Sequence, residues 1–89
     1  ILAWNGKIMA LRLMKRYDDA IALAEQGINK FPQEGLIALG LGAIYTDQSN
    51  YPKAEQAFRL SIKRQPDSVD AYAGLNMALI FQNRVDEAM

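Results

Sequence analysis

Two pairs of neighbouring carboxylates, Asp18–Asp19 and Asp86–Glu87, are the first residues in this chain with the means to do chemistry. A carboxylate pair that shares one proton can serve as general acid and general base. That role needs both groups aimed at one point. Adjacent residues on a helix are turned from each other by roughly 100°, so on helices these pairs diverge and neither reads as a dyad. The chain has no histidine and no cysteine. The commonest general base, the thiol nucleophile and the usual zinc ligands are therefore all missing. Gly40 and Gly42 do not form a phosphate loop, because they stand inside an apolar helical stretch and read as packing glycines. The residues predict no enzyme activity, no catalytic residue, no metal and no cofactor.

The elements that carry these residues are helical. Tyr17, Ala20, Ile21, Ala24 and Ile28 follow i, i+3, i+4 spacing and mark one apolar stripe, with Asp18, Asp19, Glu25 and Asn29 off it. Pro32 closes that segment, since it brings no amide donor. Leu36 to Tyr45 is apolar on nearly all sides, the pattern of a helix buried on more than one face. Thr46 to Asn50 are polar and predict a turn, with Asn50 as N-cap and Pro52 in the first turn of the next helix. Tyr51, Ala54, Ala57, Phe58, Ser61 and Ile62 make a second single stripe, which Pro66 closes. Asp67 or Ser68 caps a further helix through Tyr72, Leu75, Ala78 and Leu79. Asn83 and Arg84 predict a break, and Val85 to Met89 the start of one more helix. Connections this short make neighbouring helices antiparallel.

The pattern repeats. Pro32 recurs as Pro66, 34 residues on, and Ala20 as Ala54 and Ala88. Leu11, Tyr45 and Leu79 fall in the same register, as do Trp4, Ala38 and Tyr72. A fixed period of this size marks a stacked array of helix pairs, which works through its surface. The units are residues 1–34, 35–68 and a partial third, 69–89.

In these positions the chain resembles the tetratricopeptide repeat (TPR) family. Leu41, Gly42, Tyr45, Ala54, Phe58, Ser61 and Pro66 suit the family pattern in order and spacing. Trp4, Leu11, Tyr17, Ala20, Gly27 and Pro32 agree in the first copy, and Tyr72, Leu75, Leu79 and Ala88 in the third. Trp4 and Tyr72 are expected to supply large packing surfaces. The departures are Lys7 and Ile8, where the middle copy has Leu41 and Gly42, Ala24 in place of an aromatic, and Asn76 in place of the glycine. A pentatricopeptide array that reads RNA is the rival architecture. The 34-residue spacing and the balance of ten basic and ten acidic residues argue against it. The resemblance implies an all-α solenoid of antiparallel helix pairs, a right-handed superhelix of about two and a half repeats.

It also implies a protein-interaction module in which the first helices of successive pairs line a concave groove for a peptide or helix of a partner protein. Carried over residue by residue, that groove takes Asn5, Met9 and Arg12 from the first copy, with Leu2 and Leu13 beside them. It takes Leu36, Leu39 and Ala43 from the second, with Thr46 and Asp47. From the third come Asp70, Ala73, Met77, Ile80 and Phe81. Methionine suits an adaptable apolar surface. The competing reading is that Met, Leu and Phe at helical spacing are simply core. Ile80 and Phe81 sit off the Tyr72–Leu75–Leu79 stripe, which points them at a further repeat or a second copy of the chain. TPR co-chaperones of cytosolic heat-shock chaperones grip a C-terminal carboxylate with basic and amide side chains. The corresponding positions here are Asn5, Met9, Gly40, Asp70 and Gly74, and Asp70 would repel a carboxylate. That activity is expected to be absent.

Composition narrows the rest. Zero net charge gives no footprint for nucleic acid or an anionic membrane surface. No apolar run reaches the ~18 residues of a membrane span. Lys53, Arg59, Lys63 and Arg64, interleaved with Glu55 and Gln56, read as a solvated face, with an acidic-partner patch as the minor alternative. Lys15 and Arg16 read as complements to a helix dipole. The chain reads as a piece of a longer protein, without the polar capping repeats that arrays use. The alternative function is therefore a structural spacer or a self-association segment, a homo-oligomer formed through exposed terminal helices. Nothing in the sequence fixes a compartment.

Overall fold

The computed structural model describes the backbone from Leu2 to Ala88 and the side chains from Ala3 to Gln82. Among the described residues five helices follow in order: α1 (Leu2–Leu13), α2 (Tyr17–Lys30), α3 (Leu36–Asp47), α4 (Tyr51–Arg64) and α5 (Val69–Ala88). No strand occurs among the described residues. The fold is an all-α stack of helix pairs, α1 with α2 and α3 with α4, and α5 opens a third. The alternation read from the sequence has a direct physical cause. α2 and α4 bury one stripe each, Ala20, Ala24 and Gly27 on α2 and Ala54, Ala57, Phe58 and Ser61 on α4. α3 buries Ile37, Ala38, Gly40, Leu41, Gly42 and Ile44 around its circumference, because it touches all four other helices.

The turns inside the pairs are identical. Lys15 and Ser49 take left-handed backbone, with φ of 60° and 58°. Lys15 N–H donates to the Arg12 carbonyl and Arg16 N–H to that of Leu11, both at 2.9 Å. Ser49 and Asn50 donate in the same way to Thr46 and Tyr45, at 3.0 and 2.8 Å. This is the Schellman motif, which satisfies the last carbonyls of a helix while reversing the chain. Asn50 occupies the N-cap position of α4, but its side chain makes no capping bond. Ser68 does cap: its Oγ accepts from the Ala71 N–H at 3.3 Å.

The third copy departs from expectation. Asn83 stands in register with Lys15 and Ser49, yet α5 runs on unbroken to Ala88. Asn and Arg cost a helix only about 0.5 kcal/mol relative to the best formers, whereas a left-handed residue costs roughly 1–2 kcal/mol. In the first two copies the returning helix, packed on its partner, offsets that cost. Among the described residues no helix packs back on α5 after Asn83.

The core has two centres. One gathers Ile8, Ala20, Ala24, Ile37, Leu41, Ile44 and Ala57, and the other Ala54, Phe58 and Ala78. The sequence departures Ile8 and Ala24 belong together here. The first pair places its large residue on the first helix (Ile8) and the small one on the second (Ala24). The second pair does the reverse, with Gly42 and Phe58. Volume is conserved by exchange, which cores tolerate. Trp4 packs as predicted: its Nε1 donates to the Leu23 carbonyl at 3.1 Å, and its ring meets Phe31 edge-on at 5.8 Å. Tyr72 does not match it, being 47% exposed on the open side of α5.

Polar groups fix the packing inside the second pair, through Gly35, and between the two pairs, through Arg64. Ser61, fully buried, donates from Oγ to the Gly35 carbonyl at 2.9 Å, and the Gly35 N–H donates to Gln65 Oε1 at 2.9 Å. A Cβ on Gly35 would stand 2.7 Å from the Ser61 carbonyl oxygen, so only glycine permits this approach. Arg64 Nη1 donates to the Ile28 carbonyl at 3.0 Å, tying α4 to α2.

Candidate functional site

The first helices α1, α3 and α5 are in register, so residues that share a register position share a face of the stack. Their common face forms a cleft of about 320 Å³. Asn5, Met9 and Arg12 line it from α1, Leu36, Leu39, Gly40 and Ala43 from α3, and Asp70 and Gly74 from α5. Its floor holds a residue from a second helix, Phe58 of α4. Phe58 reaches the cleft because Gly42 and Gly74 leave room for its ring. A Cβ on either glycine would lie within 2.6 Å of ring carbons.

Gly40 shapes the cleft in a related way. The Met9 methyl group lies over it, 2.9 Å from where a Cβ would stand, and Asn5 Oδ1 lies 3.5 Å from the same point. Gly40 is thus a wall of the cleft, whereas Gly42 is a packing glycine. At one end of the cleft, Arg12 is held by Asp47 in a two-pronged pair, Nε to Oδ2 at 2.6 Å and Nη2 to Oδ1 at 3.1 Å. The Asp47 hydrogen bonds, assisted by its charge, hold the Arg12 guanidinium protonated beyond its ordinary range.

The structure thus brings together seven of the predicted site residues: Asn5, Met9, Arg12, Leu36, Leu39, Ala43 and Asp70. Ala73 and Met77 are exposed on α5 and do not line the cleft. Ile80 is half exposed on α5, outside the cleft. Phe81 is a correction. It stacks on Tyr51 of α4, centroids 4.8 Å apart and planes 19° apart, so packing on the preceding repeat accounts for it. The Leu2 side chain and the side chains of Asn83 to Met89 lie outside the described residues. Phe58 was missed because its stripe marked it as core, and it is both core and floor. The five positions that the resemblance equates with a carboxylate clamp, Asn5, Met9, Gly40, Asp70 and Gly74, all line the cleft, and none carries a positive charge.

Three of the four basic residues of α4 have partners within the fold. Arg59 pairs with Glu55 at 2.8 Å, Arg64 binds the Ile28 carbonyl, and Lys53 stands 5.7 Å from the centre of the Tyr45 ring. Glu55 also accepts from Gln82 Nε2 of α5 at 2.8 Å. The Gln82 bond, then the Arg59 bond, hold the Glu55 carboxyl below the usual carboxylate range.

The tetratricopeptide repeat family model matches residues 11–75 of the 89. The chain belongs to the tetratricopeptide repeat family. A search of curated proteins finds no match to the chain. TPR repeats in general mediate protein–protein interaction and are non-enzymatic. In TPR terms α1, α3 and α5 are the first helices of three units, and the cleft is formed on the face they share. Among the described residues no helix is long and apolar enough to cross a membrane.

Proposed function

We propose that this TPR segment is a non-catalytic module that binds a peptide or helix of a partner protein in the cleft between α1, α3 and α5. The observation that carries the reading is the convergence of Met9, Leu36, Leu39, Ala43 and Phe58 on one open cleft. Water-exposed apolar surface gathered in a concave site is the ordinary signature of a binding groove. A helix laid in by its apolar face is the recognition mode that fits a trough along parallel helices. The test is a peptide-display selection on the purified chain, counter-screened with Ala43→Lys, whose side chain lines the cleft. Circular dichroism checks that the variant keeps its helices. Peptides that bind the unaltered protein and not the folded variant support the groove. Peptides that bind both proteins equally, or no enrichment at all, reject it.

A second reading rests on a different face. Tyr72 is 47% exposed, although Ala38, in the same register, is fully buried. The side of α5 that carries Tyr72 is therefore open where the corresponding side of α3 is covered, and it favours self-association through α5. Sedimentation over a wide concentration range checks it. A dimer abolished by Tyr72→Lys supports this reading, and a monomer throughout rejects it.

A further inference from the structure

Two residues lining the cleft carry charge, Arg12 and Asp70. They differ in their surroundings. Arg12 is paired with Asp47 through Nε and Nη2, which balances its charge inside the fold. Asp70 is exposed on the first turn of α5 and enters no ion pair among the described residues. The two also stand at opposite ends. Asp70 is in register with Leu36 and Arg12 with Thr46, a separation of about 15 Å at the rise of a helix. Between them the cleft is apolar, apart from Asn5. Among the described residues, the cleft's one charge without a partner side chain is thus negative and terminal.

We infer that the occupant of this cleft is a basic–apolar segment of a partner protein, with a lysine or arginine placed against Asp70 and its apolar side chains over Leu36, Leu39 and Ala43. The inference rests on the groove reading above and adds the polarity and direction of the ligand. Charge complementarity carries it. An apolar ligand with an acidic group at that end, or a free C-terminal carboxylate there, is repelled by Asp70 and meets no cation, because the nearest candidate in the cleft is neutralised by Asp47. The basic group also sets which way round the segment lies, since apolar contacts alone are indifferent to direction.

The experiment uses the whole chain, with a random-peptide display library as the probe and Asp70→Asn, Asp70→Lys and Ala43→Lys as parallel baits. Peptides enriched on the unaltered protein should share a lysine or arginine at a fixed offset from their apolar residues. Synthetic copies should bind Asp70→Asn about two- to fivefold more weakly, the range of an exposed ion pair. The loss should shrink as salt is raised. A peptide whose basic residue is exchanged for glutamate should regain affinity on Asp70→Lys, a rescue that a merely structural role for Asp70 would not produce. Two results overturn the inference while leaving the groove intact: enriched peptides without a shared basic residue, or unchanged affinity on Asp70→Asn, in each case with binding lost on Ala43→Lys. Binding that survives Ala43→Lys, or no enrichment, removes the groove reading and this one with it.

Discussion

The ring of Phe58 lies against Gly74 so closely that a Cβ on Gly74 would stand 2.5 Å from its Cε1 and Cζ atoms. Phe58 belongs to α4 and Gly74 to α5, so this contact joins the second repeat to the third. Gly42 bounds the same ring from α3, with its own hypothetical Cβ at 2.6 Å. The ring is buried and held on both sides, which leaves it nowhere to retreat.

Gly74→Ala is therefore expected to destabilise the fold by about 1–3 kcal/mol, the range for overpacking a filled core. Gly6 is in register with Gly74, but a Cβ there meets nothing within 4 Å. Gly6→Ala should stabilise by about 0.5–1 kcal/mol, because alanine loses less backbone freedom in a helix. Urea unfolding of the two variants checks the contrast. Two shifts of the same sign would contradict it.

The two turns give a second prediction. Lys15 and Ser49 both occupy left-handed backbone, at a cost that glycine does not incur. Lys15→Gly and Ser49→Gly should each raise stability by about 0.5–1 kcal/mol. Asn83→Gly serves as the control. It stands at the same register position but within the continuous α5, so it should lower stability or leave it unchanged. Thermal unfolding of the three variants reads out the signs.

The Glu55 carboxyl gives a pH dependence. Its bonds to Gln82 and Arg59 hold it below the usual carboxylate range in the folded state. The charged form is thus favoured by folding. Its contribution is complete above the unfolded carboxylate range and disappears as pH falls through the lowered folded value. Because Glu55 is near the surface, the effect is small. Glu55→Gln should be slightly less stable than the unaltered chain at neutral pH and equal to it in strong acid. Unfolding curves for both proteins across that range test the sign. A gap that widens on acidification would refute it.

Local order was legible in the residues. The 3.6-residue periodicity gave the stripes of α2 and α4, and the all-round apolar character of Leu36 to Tyr45 gave the central place of α3. Pro32 and Pro66, 34 residues apart, gave the period. The family resemblance then assigned Asn5, Leu36 and Leu39 to one face. The cleft was legible to the extent that it is built from the first helices alone.

What lay beyond the sequence is what depends on two elements at once. Periodicity states which side of a helix is apolar, but it does not state which distant side chain fills that side. The exchange of Ile8 and Ala24 for Gly42 and Phe58, the stacking of Phe81 on Tyr51, and the reach of Phe58 into the cleft are volume matches across helix interfaces. The Arg12–Asp47 pair spans 35 residues and removes a charge that the sequence offers to a ligand. The continuity of α5 through Asn83 is of the same kind. A turn that costs left-handed backbone forms only where a returning helix packs, so Lys15, Ser49 and Asn83 share a register and not a conformation. The sequence by itself determined the helices, their period and their family, because those rest on local spacing. The tertiary structure alone decided the floor and the charge of the cleft, because those rest on contacts between residues far apart in the chain.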